Sequence, residues 1–173
     1  KTKDVHYYQT AFNHSSYVNE HPGKGRKNNE RLEFLGDSVL ELAVSEYLFN
    51  LYQDKAEGDL TRLRAQLVRE ESLAYLAREL SFDRYILMGR GEMEHGGNQR
   101  NSVLADVFEA FLGATYLDLG YQMVADYIDQ LMDQEMDYLI NALNKDHKTA
   151  FQELAQQQGA VEIDYRIEQQ AGP

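Results

Sequence analysis

Apolar residues recur at helical spacing along most of this chain, and in two segments they occupy nearly every side of the helix. The first segment spans residues 29 to about 52; the second is "SVLADVFEAFLGATYLDLG", closed by Gly120. A helix that is apolar all round is expected to be buried. Around this pair the pattern predicts further helices. "VHYYQTAFNHSSYVNE" is helical to about His14 and gives way to the polar loop "HPGKGRKNN". "KAEGD" makes a break, with Asp59 as the expected N-cap of "LTRLRAQLVRE". A helix over about 72–80 follows, then the glycine-rich "MGRGEMEHGGNQRN", expected to be irregular. Residues 121–143 predict a longer amphipathic helix, and "NKDHK" reads as a linker. The last part changes character: a short Gln-rich helix, then strand-like alternation at Ile163, Tyr165 and Ile167.

The first buried helix carries an anomaly. Glu30, Glu33, Asp37 and Glu41 lie within an arc of roughly 80° on a helical wheel. A solvated face is the ordinary explanation of such a stripe. Here the same arc continues through Val44, Leu48 and Leu51, so the acids cluster at one end of a buried helix and face an interior or a cleft. Unpaired carboxylates in that position are costly or are driven neutral unless a cation satisfies them. The second buried helix supplies a matching pair, Asp106 and Glu109, on an arc that continues through Ala110 and Gly113. Small residues there would let another helix approach closely. A crossing at that point would gather Glu33, Asp37, Asp106 and Glu109 into an all-oxygen site suited to Mg²⁺ or Mn²⁺. A lone Glu-x-x-His, Glu92 and His95, has no twin, so a di-iron carboxylate bundle is not expected.

Composition narrows the class. The chain has 173 residues, 43% hydrophobic and 27% charged, which reads as one globular domain or a domain plus a fragment. Two prolines leave room for long helices, and the absence of cysteine excludes disulfides and thiolate metal sites. No apolar run approaches the ~20 residues of a membrane span. A start at Lys1 and an end at "QAGP" read as a piece of a longer protein. The net charge of -12 argues against a nucleic-acid partner, unless the negative charge is itself part of a site that cations neutralise.

"NERLEFLGDSVLEL" resembles the signature motif of ribonuclease III, the endonuclease family that cuts double-stranded RNA. "AFNHSSY", "EGDLTRLRAQLVR", "GRGE" and "SVLADVFEAFLGATYLD" resemble further blocks of that family, in order, over residues 11–118. The tail "HKTAFQELAQQQGAVEIDYRI" is similar to the opening of a double-stranded-RNA-binding domain. The resemblance implies an all-α ribonuclease III-type endonuclease domain over residues 1–143, a linker at 144–148, and an incomplete α/β double-stranded-RNA-binding domain from 149. It also implies a cytoplasmic homodimer that acts in rRNA and mRNA processing and RNA decay. Its expected reaction is hydrolysis that leaves 5′-phosphate and 3′-hydroxyl ends, with Mg²⁺ as cofactor and Mn²⁺ as the alternative.

Residue by residue, the family's metal-binding carboxylates match Glu33, Asp37, Asp106 and Glu109, the four that helical geometry had already selected. Glu30, Glu57 and Glu92 match further acidic positions of its catalytic valley, although loop carboxylates in solvent would look the same. Asn29, Arg100 and the Lys24–Lys27 loop are candidates to meet phosphate, and Gln152 and Glu153 match the helix that enters the RNA minor groove. Arg62, Gln66 and Arg69 share one helix face, where RNA contacts and internal ion pairs compete. His14 matches a family histidine and is expected to make a structural hydrogen bond. Phe34 matches a residue that inserts into a partner subunit. Asn13 and Gln99 depart from the pattern, and the second weakens an expected basic contact to phosphate. Two other readings stay open: a duplex-RNA binder of the same fold that does not cut, and an all-α Mg²⁺-dependent nucleotide pyrophosphohydrolase.

Overall fold

The structure is a computed structural model that describes residues 2–22 and 25–142. Its frame is a stack of helices in chain order. After α1 (Val5–Ala11) and α2 (Ser15–Glu20) comes α3 (Glu30–Leu51), the expected long helix. α4 (Glu57–Leu67) and α5 (Glu70–Glu79) follow, then a 3₁₀ turn, Phe82–Arg84. The short α6 (Arg90–Glu94) and a second 3₁₀ turn (Gly97–Gln99) lead into α7 (Asn101–Leu119) and α8 (Tyr121–Asp137), which ends in a π turn, Tyr138–Ala142. Among the described residues there is no strand, only an isolated parallel bridge between Asn13 and Leu87.

α7 is the centre of the stack. It packs on α3, with α5 and α1 against its other sides, while α8 covers α3. Phe108 and Leu112 of α7, Leu40, Val44 and Leu48 of α3, and Leu76 of α5 are fully buried. Truncating a side chain such as Phe108 to Ala in a core of this kind costs about 3–5 kcal/mol. Tyrosines pin the rim: Tyr47 donates to Asp133, Tyr75 to Glu135 and Tyr121 to Glu46, at 2.9, 3.0 and 2.6 Å. Part of the chain's negative charge is thereby engaged in holding α8 and its neighbours together.

Two glycines decide how α3 and α7 cross. A Cβ on Gly36 would overlap the backbone carbonyl of Glu109, and one on Gly113 would overlap that of Leu32. Neither glycine is needed for its backbone angles; each is needed because the opposing helix occupies its side-chain space. Gly120 has the other use: at φ 88° it ends α7 and turns the chain into α8.

Several boundaries differ from expectation. The first helix stops at Ala11, because Phe12 and His14 pair through their backbones with Leu87 (Leu87 N–H to Phe12, 2.8 Å; His14 N–H to Leu87, 2.9 Å). His14 then caps a separate helix, α2, by accepting from the Ser16 amide. Asp59 is not an N-cap. Ala56 holds that place, and Asp59 lies in the first turn of α4, where a negative charge suits the helix dipole. The glycine-rich stretch contains α6, too short to show a period, and α8 widens at Tyr138, where Leu139 is buried and Tyr138 stacks on Tyr75. The expected linker, Gln-rich helix and strand lie outside the described residues.

The crossing gives a direct prediction. Gly113→Ala should cost about 3 kcal/mol, because the added methyl meets backbone and not a movable side chain. Gly58→Ala in α4, where a Cβ meets nothing, should be neutral or stabilising by up to about 1 kcal/mol. Urea denaturation of both variants checks the contrast; equal midpoints would mean that α3 and α7 do not touch as described.

Candidate active site

The crossing of α3 and α7 brings the two acid pairs together. Glu33 and Asp37 come from α3, and Asp106 and Glu109 from α7. Burial pushes the Glu109 carboxyl up to about 8, and the negative charges of Asp37, Asp106 and Glu33 add to the rise. Glu33 is raised by burial, then by Asp106, Glu30 and Asp37. Asp106 is raised by burial and by Glu70, while His14 pulls it back down. Asp37 is the exposed member, at the mouth. The four acids predicted from two separate helical arcs therefore share one field, with Glu30 at its edge.

Internal cations do not balance that field. The ion pairs among the described residues join Arg62 to Asp59, Arg64 to Glu41, Arg69 to Glu71, Arg90 to Glu94 and Arg100 to Glu92. None involves Glu33, Asp37, Asp106 or Glu109. Glu41, the fourth member of the predicted stripe, is thus separated from the site by its 3.9 Å pairing with Arg64. Carboxylates that repel one another, three of them half-buried and none in an ion pair with lysine or arginine, fit a hard divalent cation in donor chemistry and in charge. They form an open cluster: among the described residues no three His, Asp or Glu side chains already converge as a ligand cage.

The remaining candidates divide. Glu57 opens α4 and accepts from Thr61, and Glu92 pairs with Arg100; neither acts on the four carboxylates within one chain. Asn29 sits before α3 but is only 4% exposed, so its side chain is not offered to phosphate as expected. Asn13 is buried too, donating to the Lys27 carbonyl. Gln99 donates to Asp83, and Arg26 lies over the Tyr17 ring and donates to its hydroxyl. The helix face predicted for Arg62, Gln66 and Arg69 is broken, because α4 ends at Leu67 and Arg69 is the N-cap of α5; Arg62 pairs with Asp59, and Arg69 with Glu71. His14 makes the structural hydrogen bond expected of it. Phe34 is 79% exposed beside the acid stripe, the most exposed large apolar side chain among the described residues. Gln152 and Glu153 lie outside the described residues.

The helical arcs gave no sign that the charges of Glu70 and His14 act on Asp106. Both come from other elements, the start of α5 and the cap of α2, and no periodicity within one helix could have joined them to α7.

Known proteins give the geometry a context. The Ribonuclease-III-like family matches residues 4–135. The "Ribonuclease 3" of Streptococcus gordonii is 50% identical over 171 residues, covering 99% of this chain and 74% of that one. That of Streptococcus mutans is 49% identical over 170 residues, covering 98% and 74%. Among solved structures, a nuclease domain of ribonuclease III from Campylobacter jejuni, described for flexibility in a region involved in dimer formation, superposes with a TM-score of 0.71 at 41% identity. The superposition covers 78% of this chain and 90% of that domain. The nucleotide pyrophosphohydrolase reading has no such support and is set aside. An all-helical stack crossed at two glycines, four acids gathered where the crossing brings them, and relatives of one name at half identity lead to one statement: the chain belongs to the ribonuclease III family.

Proposed function

We propose that this chain is a divalent-metal-dependent endonuclease that hydrolyses phosphodiester bonds of double-stranded RNA, leaving 5′-phosphate and 3′-hydroxyl ends. The observation that carries the reading is the mutually repelling cluster of Glu33, Asp37, Asp106 and Glu109 at the glycine crossing. These four would hold Mg²⁺, or Mn²⁺ in its place, and a cation bound there would lower the pKa of the attacking water and stabilise charge on the leaving oxygen. The carboxylates bind and orient it. Glu109 sets the inner wall, and Asp37 stands at the open side where a phosphate enters. This also accounts for an RNA enzyme with a net charge of -12: once a cation is held there, the acid cluster no longer repels phosphate.

A single site cuts one strand, and two sites on one duplex call for a two-fold dimer. Phe34 is its anchor in this reading. A groove of about 1470 Å³ opens near the start of α3, between apolar residues that include Leu32, Leu35, Phe82 and Tyr85, and it suits an aromatic side chain from a second copy. The family match ends at residue 135, before position 149, where the sequence is read to open an RNA-binding module carrying Gln152 and Glu153. No helix among the described residues is long and apolar enough to cross a membrane.

Three outcomes are expected. Asp37→Asn and Glu109→Gln should each abolish cleavage of a long duplex in Mg²⁺ while leaving duplex binding in a gel-shift assay within about twofold; undiminished cutting by Glu109→Gln at low Mg²⁺ would end the assignment. The second follows from proton linkage. The folded state raises the Glu109 carboxyl from 4.5 to about 8, so the native chain holds this proton more tightly than the unfolded chain. Its ionisation therefore costs stability, progressively, as pH rises through that window. With metal chelated, Glu109→Gln should melt higher than the parent at pH 8 and no higher at pH 4.5, and the reverse order of the two differences would contradict the burial of this group. Third, Phe34→Ala should lose dimer mass by light scattering at low micromolar concentration; retention of the full dimer would remove Phe34 as the anchor.

A further inference from the structure

Asp118 stands where a carboxylate is out of place. It lies in the last turn of α7, where the helix dipole disfavours negative charge, and it is only 5% exposed. Its partners all come from the other end of the chain. Oδ1 accepts the backbone amides of Lys3 and Asp4, both at 2.8 Å, and Oδ2 accepts the Tyr8 hydroxyl at 3.2 Å. Asp4 extends the hold, because its own side chain accepts from the His6 amide and caps α1.

α1 depends on such support. It has seven residues, and helices shorter than roughly 12–15 residues are marginal alone. Its C-terminal end is pinned by the fold: Phe12 and His14 pair with Leu87, and Ala11 is fully buried against Leu32, Ala110 and Ala114. The N-terminal half is held by the Asp118 bonds and by the Tyr8 ring, whose centroid is 5.8 Å from that of Phe111. α1 is thus a strap with one fixed end and one end gathered on a single carboxylate. Tyr7, Tyr8 and Thr10 of this strap line the groove near the start of α3, together with Leu32, Leu35 and Phe82.

We propose that Asp118 is the latch of a strap that completes the subunit interface: by holding the N-terminal half of α1 on α7 it builds the wall of the groove that receives Phe34 of a second copy, so that docking of α1 and dimerisation are one coupled event. The inference rests on the reading that this groove seats Phe34. A two-fold dimer has two such grooves, one in each copy. Both partners therefore need a docked strap, and the apparent dissociation constant rises with the inverse square of the docked fraction. A strap docked in one chain in ten would weaken the dimer about a hundredfold. None of the bonds to Asp118 involves the four acids of the α3–α7 crossing, so metal binding stays outside this coupling.

The test compares Asp118→Ala, which removes all three bonds, with Asp118→Asn, which keeps an oxygen for the two amides. At concentrations too low for dimers, hydrogen exchange of the Lys3, Asp4 and α1 amides should lose its protection in Asp118→Ala and keep most of it in Asp118→Asn. Sedimentation equilibrium should then give a dimer dissociation constant at least about tenfold higher for Asp118→Ala and near the parent's for Asp118→Asn. Mn²⁺ binding, read by electron paramagnetic resonance of free Mn²⁺, should match the parent in both. A role in general stability alone would lower the melting temperature without moving the dimer constant measured far below it. If Asp118→Ala loses Mn²⁺ binding and helical circular dichroism together, Tyr8→Phe carries the same comparison, with a smaller shift in the same direction; no shift would overturn the latch. Phe34→Ala serves as the reference. If it weakens the dimer while folded Asp118→Ala does not, the latch is overturned and the seat of Phe34 stands. If Phe34→Ala leaves the dimer unchanged, the groove reading fails and the inference falls with it. Protected α1 amides in Asp118→Ala would overturn the latch whatever the dimer constants show.

Discussion

At Gly36 and Gly113 the backbones of α3 and α7 lie against each other with no room for a side chain on either side. That contact sets the distance between the helices, and the distance sets everything the acids can do. With two side chains interposed, Glu33 and Asp37 would stand apart from Asp106 and Glu109, each carboxylate would find water, and none would be strongly shifted. With glycine at both places Glu33, Asp106 and Glu109 are partly desolvated together, and Asp37 stands at their exposed side. The cost of holding them there is visible in the Glu109 carboxyl, pushed up to about 8. The core supplies the compensation: Phe108, Leu112, Leu40 and Leu48 are buried immediately beyond the crossing.

The rest of the charge distribution follows from that concentration. Several acids elsewhere are paired with arginine, accept from tyrosine or sit in the first turn of a helix. Asp118 shows the contrast. Burial pushes its carboxyl up, but the amides of Asp4 and Lys3 and the Tyr8 hydroxyl overcome that and hold it below the ordinary range. Where this fold needs a buried carboxylate for structure, it supplies donors. At the crossing it supplies other carboxylates. A protein keeps such a destabilised cluster where the strain serves a ligand.

Long periodic elements were legible in the sequence, and so was their chemistry. α3 and α7 announce themselves because twenty or so residues sample every side of a helix, and an acid on such a helix is out of place. The arcs of Asp106–Gly113 and Glu33–Asp37 were sufficient to predict the crossing. Short elements were not legible: α2 and α6 span six and five residues, less than two turns, and no period can be read from so few positions. Asn29, a candidate to meet phosphate, is instead buried, and its backbone amide donates to the Asn13 carbonyl. The influence of Glu70 and His14 on Asp106 was invisible for a different reason: it is set by how α5 and α2 dock, and docking is not written in any local pattern.

What the account requires above all is that a divalent cation occupies the space between the two acid pairs. Crystals of the chain equilibrated with Mn²⁺, and diffraction data collected at the manganese absorption edge, examine that space directly. The account predicts an anomalous peak at the α3–α7 crossing, with oxygen ligands from Glu33, Asp37, Asp106 and Glu109 and with water completing the shell. Manganese bound elsewhere, with those four carboxylates left unligated at saturating metal, would contradict it.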